Sequence, residues 1–270
     1  MVFLANLDGN WDIFVWEGAI GAPKRLTKTP WDEKYPCISA SRKLVAYTTT
    51  EGRLFLMDLQ TRETAPLKLD DYPGKWEHPS FSPDEKKLIC SYCIPEEQDK
   101  AVLAVIDLKT REVEFIFPQY GPQFSPCWCP LGSRIAYAYT HCSSACGRII
   151  QEIWLADVSR KTSRQLAMTG AHCLDPAWSL DGKKIAFSVD TMGNFDIWAI
   201  DVESKKLSQL TLNPALDESP AFGPDGKYMA FVSTRSGKRS IWIKNLQTQG
   251  MIELCPFGKE NIECKDLDWK

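Results

Sequence analysis

The chain has 270 residues, with 32 Lys and Arg against 35 Asp and Glu, and a formal net charge of -3. Its hydrophobic fraction of 44% is too high for an intrinsically disordered protein. The slight acidic excess argues against a nucleic-acid-binding protein that works by neutralising phosphates. No apolar run approaches the roughly 18 residues that a transmembrane helix needs, so we expect no membrane insertion.

Two motifs recur along the chain. The first surrounds five anchor prolines, which are Pro36, Pro79, Pro126, Pro176 and Pro220. The second is an apolar run closed by a polar residue, and its six closing residues are Glu17, Asp58, Asp107, Asp157, Asp201 and Asn245. Repeats at a fixed period indicate a repeat architecture. The spacing predicts six units of about 45 residues, which are 262–270 plus 1–27, 28–69, 70–117, 118–167, 168–211 and 212–257.

Each unit reads as four short strands. Strand A surrounds the anchor proline, strand B follows a tight turn, strand C is the apolar run, and strand D follows the closing Asp or Asn, which can bond its own backbone to start a turn. Leu267-Asp268-Trp269 matches strand A and Met1-Val2-Phe3 matches strand B of other units. The prediction is an all-β, six-bladed β-propeller of four-stranded antiparallel blades, closed by pairing the N- and C-terminal strands in one blade.

The repeat resembles the WD40-like (PD40) repeat of the TolB-like propeller family. The resemblance rests on Leu210-Thr211, the stretch 217–222, the turn 224–227 and Ile241-Trp242. It covers essentially the whole chain and implies a single propeller domain that serves as a binding platform for protein partners. TolB proteins also carry an N-terminal α/β domain, which has no counterpart here. The same repeat occurs in oligogalacturonate lyases and in the propellers of prolyl-oligopeptidase-like enzymes.

Loop lengths favour one face for recognition. The two longest B–C loops are predicted near 94–101 and 140–151, in neighbouring blades, and the first contains Glu96 and Glu97. Loops on a rigid scaffold tolerate insertion and often carry function. We therefore expect recognition on the face with the B–C and D–A loops; the alternative is neutral drift in loop length.

The mouth of the central channel lies on the same face, just before each strand A. The residues expected there are Glu33, Lys34, Trp76, Glu77, His78, Gln123, Asp175, Asp217, Glu218, Lys265 and Asp266. Such an acidic ring suits a cation or a basic peptide segment; the alternative is turn chemistry with solvated charge. Trp31 and Trp76, if exposed there, would stack on a sugar or anchor a peptide.

Ten cysteines raise the question of metal or disulfide chemistry. Five side chains on adjacent loops have donor types that zinc prefers, and they are His141, Cys142, Cys146, His172 and Cys173. Their spacing matches no standard zinc finger, and a Cys142–Cys146 disulfide or free thiols are the alternatives. No other cofactor is predicted.

Catalytic motifs are absent from the sequence: it has no Gly-x-Ser-x-Gly, no His-Glu-x-x-His and no phosphate-binding glycine loop. Three His are too few for the His-rich metal site of a lyase-like enzyme. We therefore expect a monomeric, non-enzymatic module for protein or peptide recognition. The alternative is a carbohydrate-active enzyme, glycosidase- or lyase-like, or a carbohydrate binder that uses the acidic mouth. The absence of a signal peptide is consistent with a cytoplasmic protein, or with an exported protein whose leader was removed.

Overall fold

The computed structural model describes residues 1–18, 22–95, 97, 100–117, 121–144, 146–191, 193–254, 257 and 262–270. All regular elements in these ranges are β-strands. The same residues contain no helix of the length and apolarity needed to cross a membrane.

The described residues form 24 strands. In chain order they are β1 (Val2–Asn6), β2 (Trp11–Val15), β3 (Lys24–Arg25), β4 (Glu33–Ile38), β5 (Leu44–Thr49), β6 (Leu54–Asp58), β7 (Thr64–Pro66), β8 (Lys75–Phe81), β9 (Lys87–Cys93), β10 (Ala101–Asp107), β11 (Val113–Ile116), β12 (Gln123–Trp128), β13 (Arg134–Cys142), β14 (Ile149–Asp157), β15 (Thr162–Gln165), β16 (Cys173–Trp178), β17 (Lys184–Asp190), β18 (Phe195–Asp201), β19 (Leu207–Gln209), β20 (Asp217–Phe222), β21 (Tyr228–Ser233), β22 (Ser240–Asn245), β23 (Met251–Leu254) and β24 (Glu263–Asp268).

The strands form six four-stranded antiparallel sheets, each with its strands in A–B–C–D order. Blade I contains β24 and β1–β3, blade II β4–β7, blade III β8–β11, blade IV β12–β15, blade V β16–β19 and blade VI β20–β23. In blade I the two ends of the chain pair antiparallel, with Ala5 opposite Cys264. The predicted six-bladed propeller and its ring closure are therefore confirmed.

The hydrophobic core lies between adjacent blades. In strand β17 the triad Ile185, Ala186 and Phe187 is fully buried, because each blade packs against a neighbour on both faces. One apolar cluster joins Ile153 of blade IV to Trp178 of blade V, and similar clusters lie at the other contacts. The rigid ring fixes the positions of the loops at its two ends.

The two ends of the ring differ in the connections they carry. The turn face carries the tight A–B and C–D turns, and the loop face carries the B–C and D–A loops. In the A–B turn of blade V, the Ser179 hydroxyl donates to Asp181 at 2.6 Å, and Gly182 adopts a φ of 64°. Glycine takes up this left-handed conformation without steric cost, so the turn stays short.

The segment 140–151 differs from the sequence expectation. It was predicted as a loop, but Thr140, His141 and Cys142 pair with Gln151, Ile150 and Ile149. The ladder of β13 and β14 is therefore longer than the corresponding ladders of the neighbouring blades. The strands are connected by residues 143–148. The insertion lengthens a hairpin on the loop face and does not form a long irregular loop.

Candidate functional site

Six side chains line the central channel at the same level, one from each blade. They immediately precede the anchor position of strand A, and we call them the axial ring: Tyr35, His78, Ser125, Asp175, Ser219 and Asp266. Together with their neighbours they enclose a cavity of about 150 Å³.

The axial ring owes its position to a repeated backbone distortion. All six residues have φ between 45° and 52°, and each lies at a register shift between strands A and B. A left-handed conformation costs a residue other than glycine roughly 1–2 kcal/mol. A β-bulge bends the strand and re-aims a side chain. The distortion turns one polar side chain per blade towards the propeller axis.

One half of the ring is built around Asp175. Its two carboxylate oxygens accept hydrogen bonds from the hydroxyls of Ser125 at 3.5 Å and Ser219 at 3.4 Å, which are long for O–H···O⁻ bonds. Burial, together with the smaller effects of the nearby Asp266 and Glu218 carboxylates, raises the pKa of Asp175 to about 7. Asp175 therefore has spare capacity to accept hydrogen bonds.

The other half of the ring contains an aromatic pair beside Asp266. The rings of Tyr35 and His78 stack with their centroids 3.7 Å apart. Burial, with a smaller effect from Lys34, lowers the pKa of His78 to about 3, so this imidazole is neutral at physiological pH. Its Nδ1 atom is shielded from solvent and has no hydrogen-bond partner within the described part of the chain. A shielded polar atom without a partner is costly and calls for an explanation.

On the turn-face side of the ring, the channel contains a carboxylate and an amine. Asp268 accepts a hydrogen bond from the backbone N–H of Ile38 at 2.9 Å, and the Nζ atom of Lys270 lies 4.0 Å from its carboxylate. Burial disfavours the charge of Lys270, but the Asp268 carboxylate and the other acidic groups nearby together outweigh this effect and raise the lysine pKa. Beyond them a cavity of about 230 Å³ opens to the turn face, lined by Phe81, Trp128, Trp178, Phe222 and Trp269.

Four residues predicted at the channel mouth lie inside the blades instead, and two of them are acids. Glu33 is fully buried and accepts hydrogen bonds from the hydroxyls of Thr27 at 2.9 Å and Thr29 at 2.6 Å. Asp217 is also fully buried and pairs with Arg235 at 2.6 Å. Asp217 pairs within its own blade, whereas Glu33 bonds to the segment that leads from blade I to blade II. Both carboxylates are buried away from the channel.

Gln123 and Trp76 are the other two residues that were predicted at the channel mouth but lie inside the blades. Gln123 is fully buried and accepts a hydrogen bond from the backbone N–H of Leu103 at 3.0 Å. Trp76 is 3% exposed and packs against Tyr92 with ring centroids 4.6 Å apart. All four residues lie two positions before the axial ring, and their side chains are buried in the blade. The ring residue differs because its left-handed conformation at the bulge re-aims its side chain towards the axis. Trp76 is therefore not available to stack on a sugar.

The remaining mouth residues flank the ring on the loop-face side. Glu77 and Glu218 are partly exposed, and Arg239 lies 3.5 Å from the Glu218 carboxylate. Lys34 lies over the ring of Tyr35 at 5.9 Å, and the Lys265 amine lies over the ring of Trp11 at 4.1 Å. Acidic and basic groups are therefore both present at this level of the mouth, with Lys265 and Lys34 in the adjacent blades I and II and Glu77 and Glu218 in blades III and VI.

The sequence identified half of the axial ring: His78, Asp175 and Asp266 were predicted. Tyr35, Ser125 and Ser219 were not predicted, because a neutral hydroxyl or phenol gives no charge signal in the sequence. The signal that would have found them is positional, since every ring residue directly precedes the anchor position of strand A. Of the predicted loop residues, Glu97 is exposed and pairs with Lys100 at 3.0 Å, whereas Glu96 lies outside the described residues.

The predicted zinc ligands are not assembled into one site. His141 lies 3.1 Å from the buried carboxylate of Glu152, and the Nδ1 atom of His172 accepts a hydrogen bond from the backbone N–H of Gln151 at 3.3 Å. Cys173 is buried, and burial raises the pKa of its thiol to about 12. Across the residues with described positions, no three His, Cys, Asp and Glu side chains form a group able to hold a metal. The two remaining thiols, both free, are Cys142 and Cys146.

Large apolar side chains are exposed on the loop face, in its B–C and D–A connections and beside them. We call them the apolar rim; its members are Leu7, Trp31, Ile149, Met168 and Leu212. Leu212 is 83% exposed and Trp31 46% exposed. Met168 connects the D–A loop to the long hairpin, because the hydroxyl of Ser144 points to its sulfur at 3.8 Å. Exposed apolar patches mark protein-interaction surfaces more often than chance exposure does.

Comparisons with known proteins support the fold. The family model described as the TolB beta propeller domain matches residues 95–265. TolB from Acinetobacter baumannii has a TM-score of 0.83 at 20% identity, and the match covers 99% of this chain and 65% of that chain. This chain thus spans about two thirds of the length of that TolB.

Enzymes with the same fold are also similar. An oligogalacturonate lyase in complex with manganese has a TM-score of 0.65 at 18% identity, covering 93% of this chain and 72% of the lyase. A puromycin-hydrolyzing peptidase from Mycobacterium tuberculosis has a TM-score of 0.61 at 17% identity, covering 92% of this chain and 43% of the peptidase. Such identities show a shared fold only. A search of curated proteins finds no significant match.

Proposed function

We propose that this chain, which belongs to the TolB beta propeller family, is a binding module that recognises a protein or peptide on its loop face. The observation that carries the proposal is the apolar rim on the same face as the polar channel mouth. Large exposed side chains such as tryptophan often supply most of the binding energy at protein interfaces.

The geometry of the loop face supports this proposal further. The hairpin of β13 and β14 projects from the blade that also contributes Met168, and Trp31 and Leu212 lie on two other D–A loops. The propeller ring holds these loops in fixed relative positions. A prearranged surface binds with a smaller loss of conformational entropy than a flexible one.

A pull-down from the native source tests this proposal. Immobilised wild-type protein is compared with a Trp31→Ala, Leu212→Ser double variant of the apolar rim. The matched control is the double variant Leu131→Ser, Leu180→Ser, which changes two side chains on the turn face. Leu131 is 66% exposed and Leu180 is 50% exposed. We expect the rim variant to lose the captured partner and the control to retain it. Equal capture by all three proteins, or loss only in the control, would contradict the proposal.

The carbohydrate-active alternative makes a different prediction in the same protein. It places an acid or base in the channel, and Asp175 is a carboxyl group with a pKa near neutrality there. A uronide or other oligosaccharide that is cleaved by the wild type and not by Asp175→Asn would favour the alternative over the binding module.

A further inference from the structure

We propose that the axial ring receives the ammonium group of a lysine side chain carried by the partner segment. This inference rests on the proposed function and names the chemistry of the group that enters the channel. The argument uses the acceptors of the ring, the charges around it and the size of the cavity.

The ring offers acceptors that its own residues do not saturate. Within the described ranges, Asp175 receives only the two long hydrogen bonds from Ser125 and Ser219. The Nδ1 atom of His78 also has no partner among the described residues, but it is shielded from solvent, so an ammonium group reaches its lone pair only if the imidazole turns. A lysine ammonium group has three donors and no acceptor, which complements these atoms.

The charges around the ring favour a cation. The two ionisable acids of the ring, Asp175 and Asp266, each raise the pKa of the buried Tyr35 phenol, as does Glu77. The other charged groups of the channel are already placed against partners: Glu218 with Arg239, Asp268 with Lys270, and Lys34 and Lys265 over aromatic rings. An incoming ammonium group would offset the repulsion between the two ring carboxylates.

The cavity is the size of one side chain. Its volume of about 150 Å³ is below the roughly 300–1,000 Å³ of typical small-molecule sites. A lysine side chain fits such a channel because its four-carbon stem is thin and its charge is compact. Its stem would pass the level of Glu77 and Glu218, and the rest of the segment would lie on the apolar rim.

Proton linkage gives this inference a pH signature. An ammonium group binds the ionised form of Asp175, whose pKa is about 7 in the empty channel. Affinity should therefore rise with pH from 5 to 8 and then level off. The neighbouring Asp266 also has a raised pKa because it is buried, so it contributes in the same direction. His78 and Tyr35 stay neutral over this range, since burial lowers the histidine pKa and raises the tyrosine pKa.

The experiment is an NMR titration of protein labelled in its histidine rings. The chain has three His, so His78 reports on the channel while His141 and His172 serve as internal controls. The probe is Nα-acetyl-lysine N-methylamide, and the control ligand is the norleucine analogue, which lacks the ammonium group. We expect saturable shifts of the His78 signals with the lysine probe only, and tighter binding at pH 8 than at pH 5.

Two variants complete the test. Asp175→Asn should weaken probe binding roughly tenfold or more, because it removes a charge-assisted hydrogen bond. The matched control Asp71→Asn removes a charge from an exposed loop position and should leave binding unchanged. Unperturbed His141 and His172 signals show that both variants are folded.

Three results would overturn the inference: no His78 shift, equal shifts with the norleucine analogue, or equal binding by the wild type and Asp175→Asn. Binding of Ca²⁺ to the ring without binding of the lysine probe would also overturn it. None of these results affects the pull-down with the apolar-rim variant, so failure of the inference and failure of the proposed function are distinguishable.

Discussion

Glu33 shows how a buried acid ties loop-face structure to pH. Its carboxylate is fully buried at the start of β4, where the hydroxyls of Thr27 and Thr29 donate to it. Burial raises its pKa from 4.5 to about 7, and the hydroxyl hydrogen bonds only partly oppose this effect. The folded protein therefore binds the Glu33 proton more tightly than the unfolded chain does.

The sign of the resulting pH dependence follows from linkage. The Glu33 contribution to stability is fully present below pH 4.5 and is lost as pH rises through 7. Urea unfolding measures this effect at pH 5 and at pH 8. From pH 5 to pH 8, the free energy of unfolding of the wild type should fall by on the order of 2 kcal/mol more than that of Glu33→Gln. The control Glu51→Gln changes an exposed side chain and should follow the wild type. Parallel pH profiles for the wild type and Glu33→Gln would contradict this account.

The C–D turns show how one element is repeated around the ring. In blade VI, the Oδ1 atom of Asn245 accepts hydrogen bonds from the backbone N–H groups of Gln247 and Thr248, both at 2.9 Å. Asp residues do the same in blades II, III, IV and V, with their carboxylates at positions 58, 107, 157 and 201. The role predicted for the closing residue from the sequence is confirmed in these five blades.

Substitution at Asn245 tests that role. Asn245→Ala removes both hydrogen bonds and should destabilise the fold by about 1 kcal/mol. Asn245→Asp keeps an acceptor in place, as in four other blades, and should stay close to the wild type in thermal unfolding. If the two variants unfold at the same temperature, the side-chain acceptor does not stabilise the turn.

The sequence repeats predict the strands well because each blade repeats the same turn chemistry and the same apolar run. They do not predict the continued pairing of Cys142 with Ile149, since a length count cannot separate a long loop from a long hairpin. Nor do they predict the burial of Glu33 and Asp217. Charged side chains are usually at the surface, but here Thr29 and Arg235 bond to the two carboxylates inside the protein.

At the scale of the whole molecule, the closed ring has two ends that carry different connections between the strands. Pairing of β24 with β1 completes blade I and leaves no open edge at this junction. The turn face is made of short turns repeated around the ring, whereas the loop face has the apolar rim, the long hairpin and the mouth above the axial ring. The loop face is therefore the proposed recognition surface.

Hydrogen exchange on the complex with the captured partner tests this assignment most directly. The amides of 28–32, 143–148 and 210–216 on the loop face should exchange more slowly in the complex than in the free protein. The amides of the A–B turns at 82–87 and 179–184 should exchange at the same rate in both. Protection confined to those turns, with the loop-face segments unchanged, would contradict the account.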